Sequence, residues 1–129
     1  MSTDQLEQFR YVIVPCDNLD RMKAFYRDTF AFPVDLDTAT TLTFRTGSVI
    51  LALRKRTRNY DGAGTRDALP GIQLAFLVSP AEVDRQHRRL VERGVKIFDP
   101  PKDQDWGHRT VYFSDPEGNI LEFYAEINS

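Results

Sequence analysis

From Phe9 to Val14 the chain is dense in aromatic and β-branched residues over a span too short for a helix, which predicts a strand ending at Pro15. The apolar positions then change period. Leu19, Met22, Phe25, Tyr26 and Phe30 fall on one helical face, with Asn18 placed to cap the first turn and Asp20 facing the helix dipole. An amphipathic helix follows from this pattern, closed by Pro33. Beyond it Val34 to Asp37, Thr40 to Thr46 and Ser48 to Arg54 read as three short strands, the last two joined by a tight turn at Gly47. The order is βαβββ.

Residues Lys55 to Pro70 are polar and charged with two glycines, and read as a linker. Then the pattern restarts. Ile72 to Val78 is a continuous apolar strand, and Ser79-Pro80-Ala81-Glu82 is a helix start with a serine cap, proline at the first helical position and a glutamate placed to reach back. Val83, His87, Leu90 and Val91 share a face of that helix, and Gly94 supplies a left-handed stop. Strands are expected at Val95 to Asp99, His108 to Ser114 and Asn119 to Ile127. The chain is therefore a tandem repeat of one unit, in which Tyr11 maps to Gln73 and Phe25 to His87. Aligning the last hairpins through Gly47 and Gly118 maps Leu51 to Glu122, and the extra length of the second copy is assigned to a loop from Asp99 to Trp106.

Composition narrows the function classes. With 129 residues, 41% of them hydrophobic, the chain suits one α+β domain: module one at about 9–54, the linker at 55–70 and module two at about 71–127. A formal charge of −2, from 17 basic and 19 acidic residues, gives no field to drive it onto nucleic acid or an anionic membrane. Cys16 is the lone cysteine, so no internal disulfide forms and a reducing, cytoplasmic setting is expected. The segment Met1 to Gln8 lacks the basic start and apolar stretch of a secretory signal, and no apolar run approaches membrane-spanning length.

The run Val14-Pro15-Cys16-Asp17-Asn18-Leu19 through Phe25-Tyr26, and the run Asp115-Pro116-Glu117-Gly118-Asn119-Ile120-Leu121-Glu122, together resemble the vicinal oxygen chelate superfamily of glyoxalases, extradiol dioxygenases and bleomycin-resistance proteins. The resemblance covers about Phe9 to Ile127. It implies two tandem βαβββ modules forming a curved sheet around a small-molecule pocket, and a homodimer. The second run has a structural reading of its own. Asp115 and Pro116 suit the opening of a type I turn and Gly118 a left-handed position, which leaves Glu122 as the residue for chemistry.

In relatives that bind a divalent metal, the ligands come from four strand positions that here hold Tyr11, Leu51, Gln73 and Glu122. Leucine cannot coordinate and a neutral tyrosine is a weak ligand, so no metal cofactor is expected; a divalent ion held by Glu122, Gln73 and His108 stays open as the alternative. His87, on the apolar face of the second helix, reads as a packing residue. With the geometry the resemblance implies, strand alternation turns Tyr11, Ile13, Gln73, Ala75, Leu77, His108, Thr110, Tyr112, Ile120, Glu122 and Tyr124 toward the pocket, with Val49, Leu51 and Leu53 from the first copy and Trp106 in the loop above. Glu122 either faces water, pairs with an arginine such as Arg109, or serves as a general base beside a carbonyl with Tyr112 or His108 as donors. Arg54, Lys55, Arg56, Arg58 and Arg66 give the linker a cationic edge, read as solvated or as a lid that meets a ligand anion. Two functions follow. One is a small-molecule-binding protein without the family's metal; the other is a lyase, isomerase or dioxygenase-type enzyme built on Glu122.

Overall fold

The structure is a computed structural model that describes Leu6 and residues 8–62 and 71–127. It falls into two compact units, one within residues 1–65 and the other within 66–129. The first holds β1 (Tyr11–Cys16), α1 (Leu19–Thr29), β2 (Val34–Asp37), β3 (Thr41–Arg45) and β4 (Ile50–Lys55). The second holds β5 (Gln73–Leu77), α2 (Pro80–Glu92), β6 (Ile97–Asp103), β7 (His108–Ser114) and β8 (Ile120–Glu126). Each is a four-stranded sheet with one helix, in the orders β1-β4-β3-β2 and β5-β8-β7-β6. The fold is α+β, and the same βαβββ unit occurs twice. No helix among the described residues is long and apolar enough to cross a membrane.

In the first module the Asn18 side chain accepts from the Arg21 amide at 3.1 Å, which satisfies one open donor of α1. Leu19, Met22 and Tyr26 are buried on one face, and Tyr26 packs edge-on to Phe25 and against Phe30. Lys23 and Arg27 both reach Asp37, tying the helix to β2. β1 begins two residues later than the composition suggests and runs on through Pro15. Arg10 and Cys16 are the residues whose carbonyls accept from the β4 side, so by alternation Pro15 turns its nitrogen to the sheet edge and breaks no ladder bond.

One correction concerns β4. Tyr11 pairs with Ile50 and Ile13 with Ala52, while Val12 and Val14 pair with Leu51 and Leu53. Leu51 and Leu53 therefore lie on the helix side, buried with Leu42 and Phe44, and not with Tyr11. Because Gln73 pairs with Ile120 and Ala75 with Glu122, the counterpart of Glu122 in the first module is Ala52. The hairpin alignment through the glycines was one residue out of step, which moves every side chain to the other face.

In the second module α2 begins at Pro80 after Ser79 and stops at Gly94, whose φ is 75°. The expected reciprocal cap does not form. Glu82 instead accepts from Arg85 and Gln86 one turn along the helix, at 2.9 and 2.7 Å. Val83 and Leu90 are buried against the sheet, but Val91 is exposed, so the apolar face is narrower than its sequence pattern. β6 runs through Asp103, where a loop was expected, and meets β7 through two register shifts. Prolines 100 and 101 occupy the second shift, on an edge strand, where a missing donor is tolerated.

Candidate functional site

Alternation divides the second sheet into two faces. Leu121, Phe123, Ala125, Val111 and Phe113 are buried on the α2 side. The other face carries Gln73, Ala75 and Leu77 from β5, Ile120, Glu122 and Tyr124 from β8, and His108, Thr110, Tyr112 and Ser114 from β7. Across its middle, Ala75, Glu122, Tyr112 and Asp99 form one row of four strands.

Glu122 is the chemical centre of that row. It is only 7% exposed, its carboxylate accepts from the Gln73 amide at 3.3 Å, and Tyr112 stands directly across from it on β7. A carboxylate sunk in a sheet needs such donors, because each unmet oxygen costs roughly 1–3 kcal/mol. Burial pushes the Tyr112 phenol above its ordinary pKa of 10.0, and the negative charge of Glu122 pushes the same way, outweighing the opposite pull of Thr110. The phenol thus stays a donor through the neutral range. The folded-state pKa is raised, so this stabilisation is present below the unfolded value and fades as pH climbs through the higher one. In an alkaline absorbance titration Tyr112 is expected to ionise late, so that Tyr112→Phe removes one tyrosine from the late component and none from the early one. Loss of a tyrosine from the early component instead would contradict this.

Gln73 and Tyr112 lead into a cavity of about 660 Å³, also lined by Lys96, Phe98, Asp99, Ser114, Gly118 and Ile120. This is within the usual range for small-molecule sites, about 300–1,000 Å³. Sequence reasoning placed Gln73, Tyr112 and Ile120 on this wall but missed Lys96, Phe98 and Asp99, which it had put in the strand Val95 to Asp99 without assigning them a face. Asp99 would have been hidden in any case. Ile97 pairs with Phe113 and Asp99 with Tyr112, so one extra residue sits between them and turns Asp99 toward the cavity.

Other candidates lie elsewhere. His108 pairs with Glu126 and its ring packs on Tyr124 at 4.7 Å. It is four residues along β7 from Tyr112, about 13 Å at the usual rise, so it does not join Gln73 and Glu122. Trp106 is 61% exposed and does not line the cavity. Arg109 faces α2, donating twice to Asp84 and once to Asp103, so it is not the partner of Glu122. His87 is part-buried on α2, beside Asp84.

The cationic edge is largely consumed by folding. Asp61 accepts from the side chains of Arg54 and Arg58 and from the amides of Thr57 and Arg58, which holds its carboxyl well below the usual range. Arg56 pairs with Asp17 at 2.8 Å and donates to the Asp61 carbonyl. This network closes a short 3-10 turn over Asn59–Asp61. Arg66 lies outside the described residues.

The family's metal can be tested against the donors present. In the second module the corresponding positions hold one amide and one carboxylate, Gln73 and Glu122; in the first they hold a phenol and a methyl group, Tyr11 and Ala52. Three firm ligands are needed and this set does not supply them. No group of three or more His, Cys, Asp or Glu gathers among the described residues.

Residues 8–123 match the family model for the Glyoxalase/Bleomycin resistance protein/Dioxygenase superfamily. The chain belongs to that superfamily. Among its relatives, the metallothiol transferase FosB of Lysinibacillus sphaericus (strain C3-41) is 24% identical over 122 residues, covering 93% of this chain and 83% of that protein. A glyoxalase/bleomycin resistance protein/dioxygenase from Nocardioides superposes with a TM-score of 0.79 at 23% identity, covering 95% of this chain and 85% of that one. Lactoylglutathione lyase from Agrobacterium tumefaciens does so with a TM-score of 0.72 at 23% identity, over 94% and 95%. At such identities what the solved structures share with this chain is the superfamily's fold.

Proposed function

We propose that this superfamily member binds a small organic molecule in the cavity of its second module, its polar end against Gln73, Tyr112 and Glu122, and does so without the family's divalent metal. The observation that carries this reading is the buried Glu122 carboxylate, held by the Gln73 amide with the Tyr112 phenol across from it, beside an open, partly apolar cavity. Polar groups fixed in this way are ready to exchange a hydrogen bond with a ligand at little cost in ordering. The donor set at the metal positions supports the metal-free part. A second reading is favoured by the contact of Tyr112 with Glu122: a carboxylate base and a phenolic donor side by side suit proton transfer next to a carbonyl.

The test combines metal analysis with ligand screening. Protein purified without added metal is expected to hold far less than one equivalent. Small polar organic compounds that raise its melting temperature are expected to bind Glu122→Gln about tenfold or more weakly, since a hydrogen bond to a charged group contributes roughly 1.5–3 kcal/mol. Stoichiometric metal lost in the variant would overturn the metal-free reading. A screen without binders, or with binders indifferent to the substitution, would overturn the site.

A further inference from the structure

The cavity of the second module carries two charges of opposite sign that stand outside every ion pair among the described residues. Lys96 and Asp99 both line it. Neither makes an ion pair among the described residues, with each other or with any other group. Elsewhere the chain pairs its charges readily: Arg109 takes two carboxylates and Asp61 two arginines. The separation at the cavity is built by the strand. Lys96 lies just before β6 and its ammonium rests over the Phe98 ring at 5.3 Å, which gives the cation a defined place. The register shift between Ile97 and Asp99 then brings the carboxylate to the same side, opposite Tyr112. An unshifted strand would send Asp99 to the α2 face with Ile97.

We propose that the cavity takes a zwitterion of the apolar α-amino-acid class, with the ligand carboxylate on Lys96, its ammonium on Asp99 and its side chain against Phe98 and Ile120. This rests on the binding role proposed for the cavity and names the class of ligand. A ligand with a single negative charge satisfies Lys96 but meets Asp99 with like charge, and a single positive charge has the reverse defect. Only a ligand carrying both satisfies both groups, and the penalty on the others supplies discrimination. Gln73, Tyr112 and Ser114 add neutral donors and acceptors around the charged ends.

Calorimetric titration with three probes tests it: L-phenylalanine, N-acetyl-L-phenylalanine, which keeps only the negative charge, and L-phenylalanine amide, which keeps only the positive one. The native chain is expected to bind the zwitterion about tenfold or more tightly than either analogue. Lys96→Met should reduce phenylalanine to the affinity of the amide, and Asp99→Asn to that of the N-acetyl compound. Both side chains are exposed, so circular dichroism should show both variants folded as the native chain. Equal affinity for the three probes, a preference that survives both substitutions, or no binding of phenylalanine overturns the proposal. If N-acetyl-L-phenylalanine binds equally well and Tyr112→Phe weakens it, the cavity is a binding site and only the zwitterion is wrong. If neither these probes nor the wider screen binds, both readings fall together.

Discussion

Asp115→Ala is expected to destabilise the chain by about 2–4 kcal/mol, measured as a shift of the urea midpoint at unchanged slope. The carboxylate is 3% exposed and acts as the hub of the β7–β8 turn. It accepts from the amides of Glu117 and Asn119 at 2.9 and 3.0 Å and from the Asn119 side chain at 2.9 Å. The Asp115 carbonyl closes the same turn with the Gly118 amide, whose residue holds a left-handed φ of 87°. Alanine keeps the backbone bond but leaves buried donors on Asn119 without an acceptor, which costs more than the bonds contributed. Asp115→Asn, which keeps one acceptor oxygen, should lose about half as much. A loss under about 1 kcal/mol for alanine would mean that water replaces the carboxylate and that the turn is held by its backbone alone.

The larger effect is expected at Phe113. Its side chain is fully buried between the second sheet and α2, with its ring stacked on Phe123 at 5.2 Å. Truncation to alanine removes most of a phenyl ring from a packed layer and should cost about 3–5 kcal/mol in equilibrium unfolding, with Phe113→Leu costing roughly a third of that. The neighbour on the same strand gives the contrast. Tyr112→Phe lies on the opposite face and removes one hydroxyl, for about 1 kcal/mol, while weakening any ligand held at Glu122. If the alanine variant unfolds with the native midpoint, Phe113 is not in the core and the division of the sheet into two faces is wrong.

The repeated βαβββ order was legible because each copy changes its apolar period at a marked place: Asn18 before α1, and Ser79-Pro80 before α2. The faces of β7 and β8 were legible because Val111 and Phe113 alternate with Thr110, Tyr112 and Ser114, and because Glu122 is the one charged residue within the run Ile120 to Ala125, which brought Glu122 and Tyr112 out from the sequence alone. β4 offered no such signal. Val49 to Leu53 is apolar throughout, so parity could not be read within the strand and only its pairing with β1 decides between Leu51 and Ala52. Asp99 was hidden for a related reason. A bulge changes parity midway along a strand, and no residue type marks it here. His108 was overrated because sharing a face is not sharing a row.

The prolines of β6 have a consequence for the behaviour of the chain in concentrated solution. A free sheet edge is a template onto which foreign strands add, and long regular edges of this kind seed fibrils. In β6, the Pro100-Pro101 pair interrupts the row of amide donors, the irregular register spoils straight alignment, and Lys102 and Asp103 add exposed charges at its end. An incoming strand would find gaps where it needs a continuous row. The segment that brings Asp99 to the cavity thereby also keeps the sheet from growing beyond its fourth strand.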